Sequence, residues 1–153
     1  MFIDSLLATF NEFQSDTAII WKDKAFSYQW LISRVNEWLN ILFTNDIQAG
    51  TIVNLEADFS PASVALLLAL TEQGCIIVPF AGTNGISRQQ LKDVAEGEVD
   101  IQILQNDEFI ILKTKKKSIH PLYQQLRATG HPGLVLFSSG STGVSKAALH
   151  DIV

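Results

Sequence analysis

The sequence is poor in several residue types, and each scarcity excludes something. Its 153 residues contain one cysteine, Cys75, so no disulfide framework forms within the chain. Cys75 lies in an apolar run and reads as a buried core thiol. Basic residues are outnumbered, 11 Lys and Arg against 16 Asp and Glu, and the net charge of −5 argues against a sequence-independent nucleic-acid binder. Only four prolines are present, and no Pro/Ser-rich linker divides the chain. The N-terminal MFIDSLLATFNEF carries acidic residues and no basic segment, unlike a signal peptide. The most apolar region, 62–81, is broken by Thr71, Glu72, Gln73 and Gly74. A membrane span needs about 20 apolar residues in a row. These features predict a cytoplasmic protein.

What is present is an ordinary globular composition, 47% hydrophobic. A chain of this length forms one domain burying roughly two-thirds of its unfolded surface. Helices and strands alternate along it. Residues 2–13 space Phe2, Ile3, Leu6, Leu7 and Phe10 as an amphipathic helix. TAIIW (17–21) reads as a strand, with a turn at 22–24 and a short return at 25–26. Ser27 caps a long helix to about Thr44, with Leu31, Val35, Trp38, Leu39 and Leu42 on one stripe. Arg34 and Glu37 form a solvated pair on its outer face. TIVNL (51–55) is a strand. Ser60-Pro61 opens an all-round apolar helix that Gly74 ends, and CIIVPF is a buried strand. Ser87-Arg88-Gln89-Gln90 has a capping-box pattern and starts a helix that Gly97 terminates. Strands follow at 99–104 and 109–112, a short helix at 121–128, and a strand at 134–137. The order predicts an α/β fold with a largely parallel sheet flanked by helices, with antiparallel additions at the first hairpin and at 99–112.

The last strand runs into LVLFSSGSTGVSKAALHD (134–151). In open α/β sheets ligands bind beyond the carboxyl ends of strands. Gly140 and Gly143 allow close approach of the main chain. Ser138, Ser139, Ser141 and Thr142 supply hydroxyl donors. Successive N–H groups in a tight turn form an anion nest, and Lys146 adds a positive charge. AALHDIV is predicted to start a helix whose N-terminus would reinforce anion binding. The residues alone leave two readings open, a flexible surface loop and a polyphosphate grip. The stretch is not a Walker A loop, because Ser145 rather than glycine precedes Lys146. It also lacks the G-x-G-x-x-G and G-x-S-x-G spacings.

LFSSGSTGVSK resembles the phosphate-loop signature of the AMP-forming adenylate ligases, which include acyl-CoA synthetases, luciferases and nonribosomal-peptide adenylation domains. Ser138, Ser139, Gly140, Ser141, Thr142, Gly143, Ser145 and Lys146 fill its fixed positions. Ser145 stands where proline is most frequent, and Ala147 where glycine is. Upstream, DTAIIWKDKAFSYQWLISRVNEWLNIL, GTIVNLEADFSPASVALLLALTEQGCIIVPF and SRQQLKDVAEGEVDIQIL are similar to the family's successive opening units.

The resemblance implies that a carboxylate attacks the α-phosphate of Mg-ATP, giving acyl-AMP and pyrophosphate. A thiol, commonly coenzyme A, then takes the acyl group. It implies ATP and Mg2+ as cofactors, a carboxylic acid as partner, and Ser141, Thr142 and Lys146 as phosphate contacts. Family members are several hundred residues long. Their adenine and ribose segments, acyl pocket, metal-binding acid and catalytic lysine follow the phosphate loop. The expectation is therefore that 1–153 is the N-terminal portion of such a ligase's large domain, with the phosphate loop at 138–146, no catalytic residue within it, and no activity alone. The alternative is a non-catalytic binding or scaffold domain that kept the fold. His120, His131 and His150 are too scattered for a metal site, although His150 stands four residues past Lys146. KTKKK (113–117) reads as a solvated turn that could attract an acidic partner. The three tryptophans read as packing.

Overall fold

A computed structural model describes residues 2–80, 88–139 and 145–153. Helix α1 (Asp4–Glu12) is followed by the hairpin β1 (Thr17–Trp21) and β2 (Lys24–Ser27). Lys22 and Asp23 form its two-residue turn, at φ 48° and 61°. Next come α2 (Tyr28–Thr44), β3 (Ile52–Glu56), α3 (Pro61–Glu72), β4 (Ile76–Phe80) and α4 (Arg88–Ala95). The chain continues through β5 (Val99–Ile103), β6 (Phe109–Lys113), α5 (Pro121–Thr129), β7 (Gly133–Ser139) and β8 (Ser145–Asp151).

The serines expected to start helices do so chemically. The Ser27 hydroxyl accepts from the Trp30 N–H at 3.2 Å. At α3 the box is reciprocal: Ser60 accepts from the Ser63 N–H, and Ser63 Oγ accepts from the Ser60 N–H at 2.8 Å. Pro61 occupies the first helical turn, where no N–H is needed. The capping role read for Ser87 lies outside the described residues.

Six strands form one sheet in the order β6-β5-β3-β4-β7-β8. β5, β3, β4 and β7 are mutually parallel, whereas β6 and β8 run antiparallel at the two edges. Alternate residues of each strand face opposite sides. Val53, Leu55, Ile77 and Ile101 join α2 and α3 in one core, with Val35, Trp38, Leu42, Leu66 and Leu70. Ile52, Ile76, Val78 and Phe80 join α4 and α5 in the other, with Leu91, Ala95, Tyr123 and Leu126. The sheet is thus covered on both faces, as its apolar strands predicted. α3 is apolar all round because it is wedged between α2 and the sheet.

Two findings depart from the sequence expectations. The segment from Ser145 to Asp151 is a strand, β8, not a helix. It pairs with β7 along its whole length, from Ser139↔Ser145 to Gly133↔Asp151. Lys, Ala and Leu are good helix formers, but propensity yields to an open strand edge with seven ladder positions. The end of α4 also differs. Glu96, not Gly97, takes the left-handed turn, at φ 54°. Its carboxylate accepts a hydrogen bond from the Ser118 hydroxyl. Gly97 is required by contact instead: a Cβ there would lie 2.1 Å from the Nδ2 of buried Asn54. Gly97→Ala is accordingly expected to displace Asn54 and destabilise the fold by about 2–3 kcal/mol. Urea unfolding measures this, and Gly130→Ala, whose added methyl meets nothing within 4 Å although φ is 74°, is the milder comparison.

Cys75 is buried, unpaired and aligned on the Gln48 carbonyl. Burial pushes its thiol up to about 12, from 9.0. Little of the reactive thiolate is then present at mildly alkaline pH. Iodoacetamide at mildly alkaline pH is expected to label Cys75 only after guanidinium unfolding, as read by intact mass.

Candidate functional site

The parallel strands carry their carboxyl ends to one edge of the sheet, at Glu56, Phe80, Ile103 and Ser139. Cross-strand contacts tie these ends together. Glu56 is level with Phe80 in the β3–β4 register, and the Phe80 and Phe137 rings stack at 5.7 Å. The candidate phosphate loop leaves this edge two residues after Phe137. Val135 is buried, and Phe137 packs on the α4/α5 core, which fixes the approach of β7.

Of the proposed phosphate-loop residues, the structure describes three. Ser138 and Ser139 end β7, and Lys146 is the second residue of β8. Gly140, Ser141, Thr142 and Gly143 lie outside the described residues. Ser138 stands directly opposite Lys146 in the antiparallel ladder, so the hydroxyl and the ammonium share one face of the sheet. Both are exposed to solvent. This is the face of Leu134, which packs on the α2/α3 core, and opposite to that of Phe137. Cross-strand pairing thus brings together two groups separated by eight positions in sequence. Because β8 is a strand, the cation here comes from a hairpin arm. A helix dipole following the loop is no part of the described site.

His150 shares Lys146's face but sits four residues along the strand, roughly 13 Å away. It stands opposite Leu134, towards the far end of β7. The other histidines have local partners. His120 Nδ1 accepts from the Leu122 N–H and caps α5. His131 Nδ1 lies 2.9 Å from Asp151 Oδ2, and this hydrogen bond holds the Asp151 carboxyl below its ordinary range. Among the described residues no three His, Cys, Asp or Glu side chains converge as a metal site, and Mg2+ is assigned no ligand there. Arg34 and Glu37 do form the expected pair, at 2.6 Å.

Beside β4 the same edge opens a cleft of about 510 Å³. The hairpin residues Trp21, Lys22, Lys24 and Phe26 line it together with Glu56, Phe80 and Arg88. Two of its lining residues, Glu56 and Arg88, belong to a polar cluster that carries no sequence motif. Glu56 accepts from Arg88 at 2.8 Å and also pairs with Lys92. Lys92 bonds Asp100 at 2.8 Å, and Asp100 accepts from Asn54 Nδ2 at 2.6 Å. Burial opposes the charge on Lys92, yet the bonds to Asp100 and Glu56 outweigh it and raise its pKa. That stabilisation is present below about pH 10 and fades as pH rises through the raised value. The available signal was polar Asn54, Glu56 and Asp100 inside otherwise apolar strands. The cluster fastens α4 to β3 and β5 at the carboxyl edge.

Comparison with known proteins fits this geometry. Gramicidin S synthase 2 of Brevibacillus brevis is 25% identical over 148 residues, covering 86% of this chain and 3% of that protein. The hybrid PKS-NRPS synthetase pydA of Acremonium is 24% identical over 144 residues. The N-terminal subdomain of Klebsiella oxytoca NpsA, solved with 3-hydroxybenzoyl-AMSN, superposes with a TM-score of 0.69 at 21% identity, over 95% of this chain and 39% of that one. The chain is thus similar in sequence to a segment of these peptide synthases and shares the fold of part of the NpsA N-terminal subdomain. VinN, solved with L-aspartate, superposes equally well, with a TM-score of 0.69 at 17% identity, over 99% of this chain and 48% of that one. No protein-family model matches the sequence. The chain therefore spans a small fraction of the synthases and under half of each of these two solved structures. Among the described residues no helix is long and apolar enough to cross a membrane.

Proposed function

We propose that this chain supplies the polyphosphate grip of an ATP-dependent, AMP-forming carboxylate ligase of the adenylation-domain kind. The observation that carries the reading is the SSGSTGVSK loop, which leaves a buried parallel strand at the sheet's carboxyl edge and returns Lys146 opposite Ser138. The chemical demand is charge. A carboxylate oxygen attacks the α-phosphorus of ATP, and the bond to the bridging oxygen breaks. Pyrophosphate leaves with that electron pair. Backbone N–H groups and the hydroxyls of Ser138, Ser139, Ser141 and Thr142 surround the departing oxygens, with Gly140 and Gly143 permitting the approach. Lys146 balances the charge that grows on the β- and γ-phosphates. Mg2+, when bound, neutralises part of the same charge.

The acyl adenylate then passes to a thiol. The sulfur attacks the acyl carbon, and AMP departs with the electrons of the mixed anhydride bond. The sequence reading favoured coenzyme A. The proposed acceptor is instead a carrier-protein thiol, because the relatives are peptide synthases and NpsA has been solved fused to ThdA as an Adenylation-PCP di-domain. Residues 1–153 correspond to the N-terminal portion of the large domain in this proposal. The 153-residue polypeptide by itself is expected to give no adenylation.

The test is ATP–pyrophosphate exchange by the gene product that carries these residues, over a panel of amino acids and aryl acids. Exchange with one acid, abolished by Lys146→Ala, supports the proposal. Saturable phosphate binding without exchange for any acid would favour the scaffold reading. Thioester formation on a carrier protein, compared with coenzyme A, decides the acceptor.

A further inference from the structure

Strand β6 ends the sheet, and among the described residues no strand pairs with its outer side. Its orientation is fixed by two bonds. The Leu104 N–H donates to the Glu108 carbonyl at 2.8 Å, and the Thr114 N–H donates to the Glu98 carbonyl at 2.9 Å. By alternation, Glu108, Ile110, Leu112 and Thr114 turn their backbone groups to β5, and Phe109, Ile111 and Lys113 turn theirs outward. The strand is short but apolar, FIIL, and its outer residues are uncovered: Ile110 is 42% and Leu112 60% exposed. An edge of this kind is a pairing template.

The charges flanking this edge are self-complementary. Asp107 and Glu108 precede it, whereas Lys113 and Lys115 end it. Beside it lies a groove of about 580 Å³ lined by Glu37, Trp38, Asp107, Glu108 and Phe109. Arg34, which also lines the groove, is already paired with Glu37, and the Lys116 ammonium is taken by Asp93 at 2.7 Å.

We propose that β6 pairs antiparallel with β6 of a second copy of this chain, about a two-fold axis at Ile111. In that register Ile111 faces Ile111 of the second copy, and Phe109 faces Lys113. All these residues turn backbone donors and acceptors outward, giving about six new ladder bonds. Ile110 meets Leu112 of the second copy on the opposite face, at the closer, non-hydrogen-bonded spacing, and each covers part of the other. Asp107 meets Lys115, so the acidic groove end receives the lysine-rich end twice, once on each side of the axis. The contact is isologous and closes on itself. Within KTKKK, where Lys113 pairs with Asp46 at 4.0 Å and Lys116 with Asp93, it gives Lys115 a partner, Asp107 of the second copy.

Sedimentation equilibrium of the 153-residue chain tests this. The wild-type chain is expected at the mass of two chains at micromolar concentration, weakening as salt screens the end charges. Asp107→Lys with Glu108→Lys makes both ends basic, and Lys113→Glu with Lys115→Glu makes both ends acidic. Each pair of substitutions is expected to give monomers, and an equimolar mixture of the two is expected to restore a dimer. Leu112→Lys, at an exposed position, is expected to give monomers without loss of circular dichroism. A monomeric wild-type chain, or a dimer unchanged in all three variants, overturns the proposal. So does a β6 edge that becomes protected from hydrogen exchange only inside a longer gene product, which would identify another segment as its occupant. Adenylation does not enter this readout, so it stands or falls apart from the proposed function.

Discussion

Replacing Lys146 by alanine is expected to weaken binding of inorganic tripolyphosphate and of MgATP by about tenfold to a hundredfold. A hydrogen bond to a charged group is worth about 1.5–3 kcal/mol, which converts to that range. The side chain is exposed on the hairpin arm, so its removal leaves the β7–β8 ladder in place. Circular dichroism and the unfolding midpoint are expected to stay unchanged, and this separates a lost contact from a lost fold. Lys146→Arg keeps the charge but replaces a compact ammonium by a planar fork, and is expected to recover part of the affinity. Ser138→Ala removes the facing hydroxyl, with a smaller expected loss of about threefold to tenfold. Isothermal titration calorimetry reads all three. Wild-type affinity in Lys146→Ala would remove the residue from the phosphate site.

The largest stability effect is expected at Arg127. Its guanidinium donates to the Gly50 carbonyl at 2.9 Å, to the Ser118 carbonyl at 2.7 Å and to Glu98 Oε1 at 2.9 Å. Glu98 in turn accepts from the Ile52 N–H at 3.2 Å and from the Ser118 N–H at 3.0 Å. One side chain of α5 therefore secures the starts of β3 and β5 and the segment that leads into its own helix. The ion pair is largely sheltered, with side-chain exposures of 20% and 14%. Arg127→Met keeps most of the volume, removes the cationic partner of the sheltered Glu98 carboxylate and leaves the Gly50 and Ser118 carbonyls without their guanidinium donor. Removing one partner of such a pair costs about 3 kcal/mol, or roughly 6–12 °C in Tm for a domain of this size. Arg127→Met with Glu98→Gln removes the stranded charge and is expected to recover part of the loss. Thermal unfolding of the single and double variants makes this measurement.

The elements that could be read from the sequence were those whose signals are local. The serine caps at 27 and 60, Pro61, the α2 stripe and the apolar strands act within a few residues, and each appears where it was expected. Interactions across the sheet were not legible. β8 carries a helix-forming composition, yet the open edge of β7 makes it a strand. Gly97 looked like a helix stop, but its space is set by Asn54 on β3, a strand 43 positions earlier in the chain. Arg127 and Glu98 gave no sequence signal at all, because they pair with each other across 29 positions and their other partners are backbone carbonyls and amides. The candidate site divides in the same way. The phosphate-loop resemblance was legible as a motif. The facing of Ser138 and Lys146 depends on cross-strand register, and the distance of His150 from Lys146 depends on β8 being extended.

The central claim is that residues 138–146 hold polyphosphate. Backbone amide shifts of the isotopically labelled 153-residue chain, titrated with tripolyphosphate and with MgATP, test it most directly. The expected result is saturable perturbation centred on Ser138 to Lys146 and strongly reduced by Lys146→Ala. Shifts confined to the lysines at 113–117, shifts confined to the Glu56–Arg88 cleft, or no saturable shifts at all would contradict it.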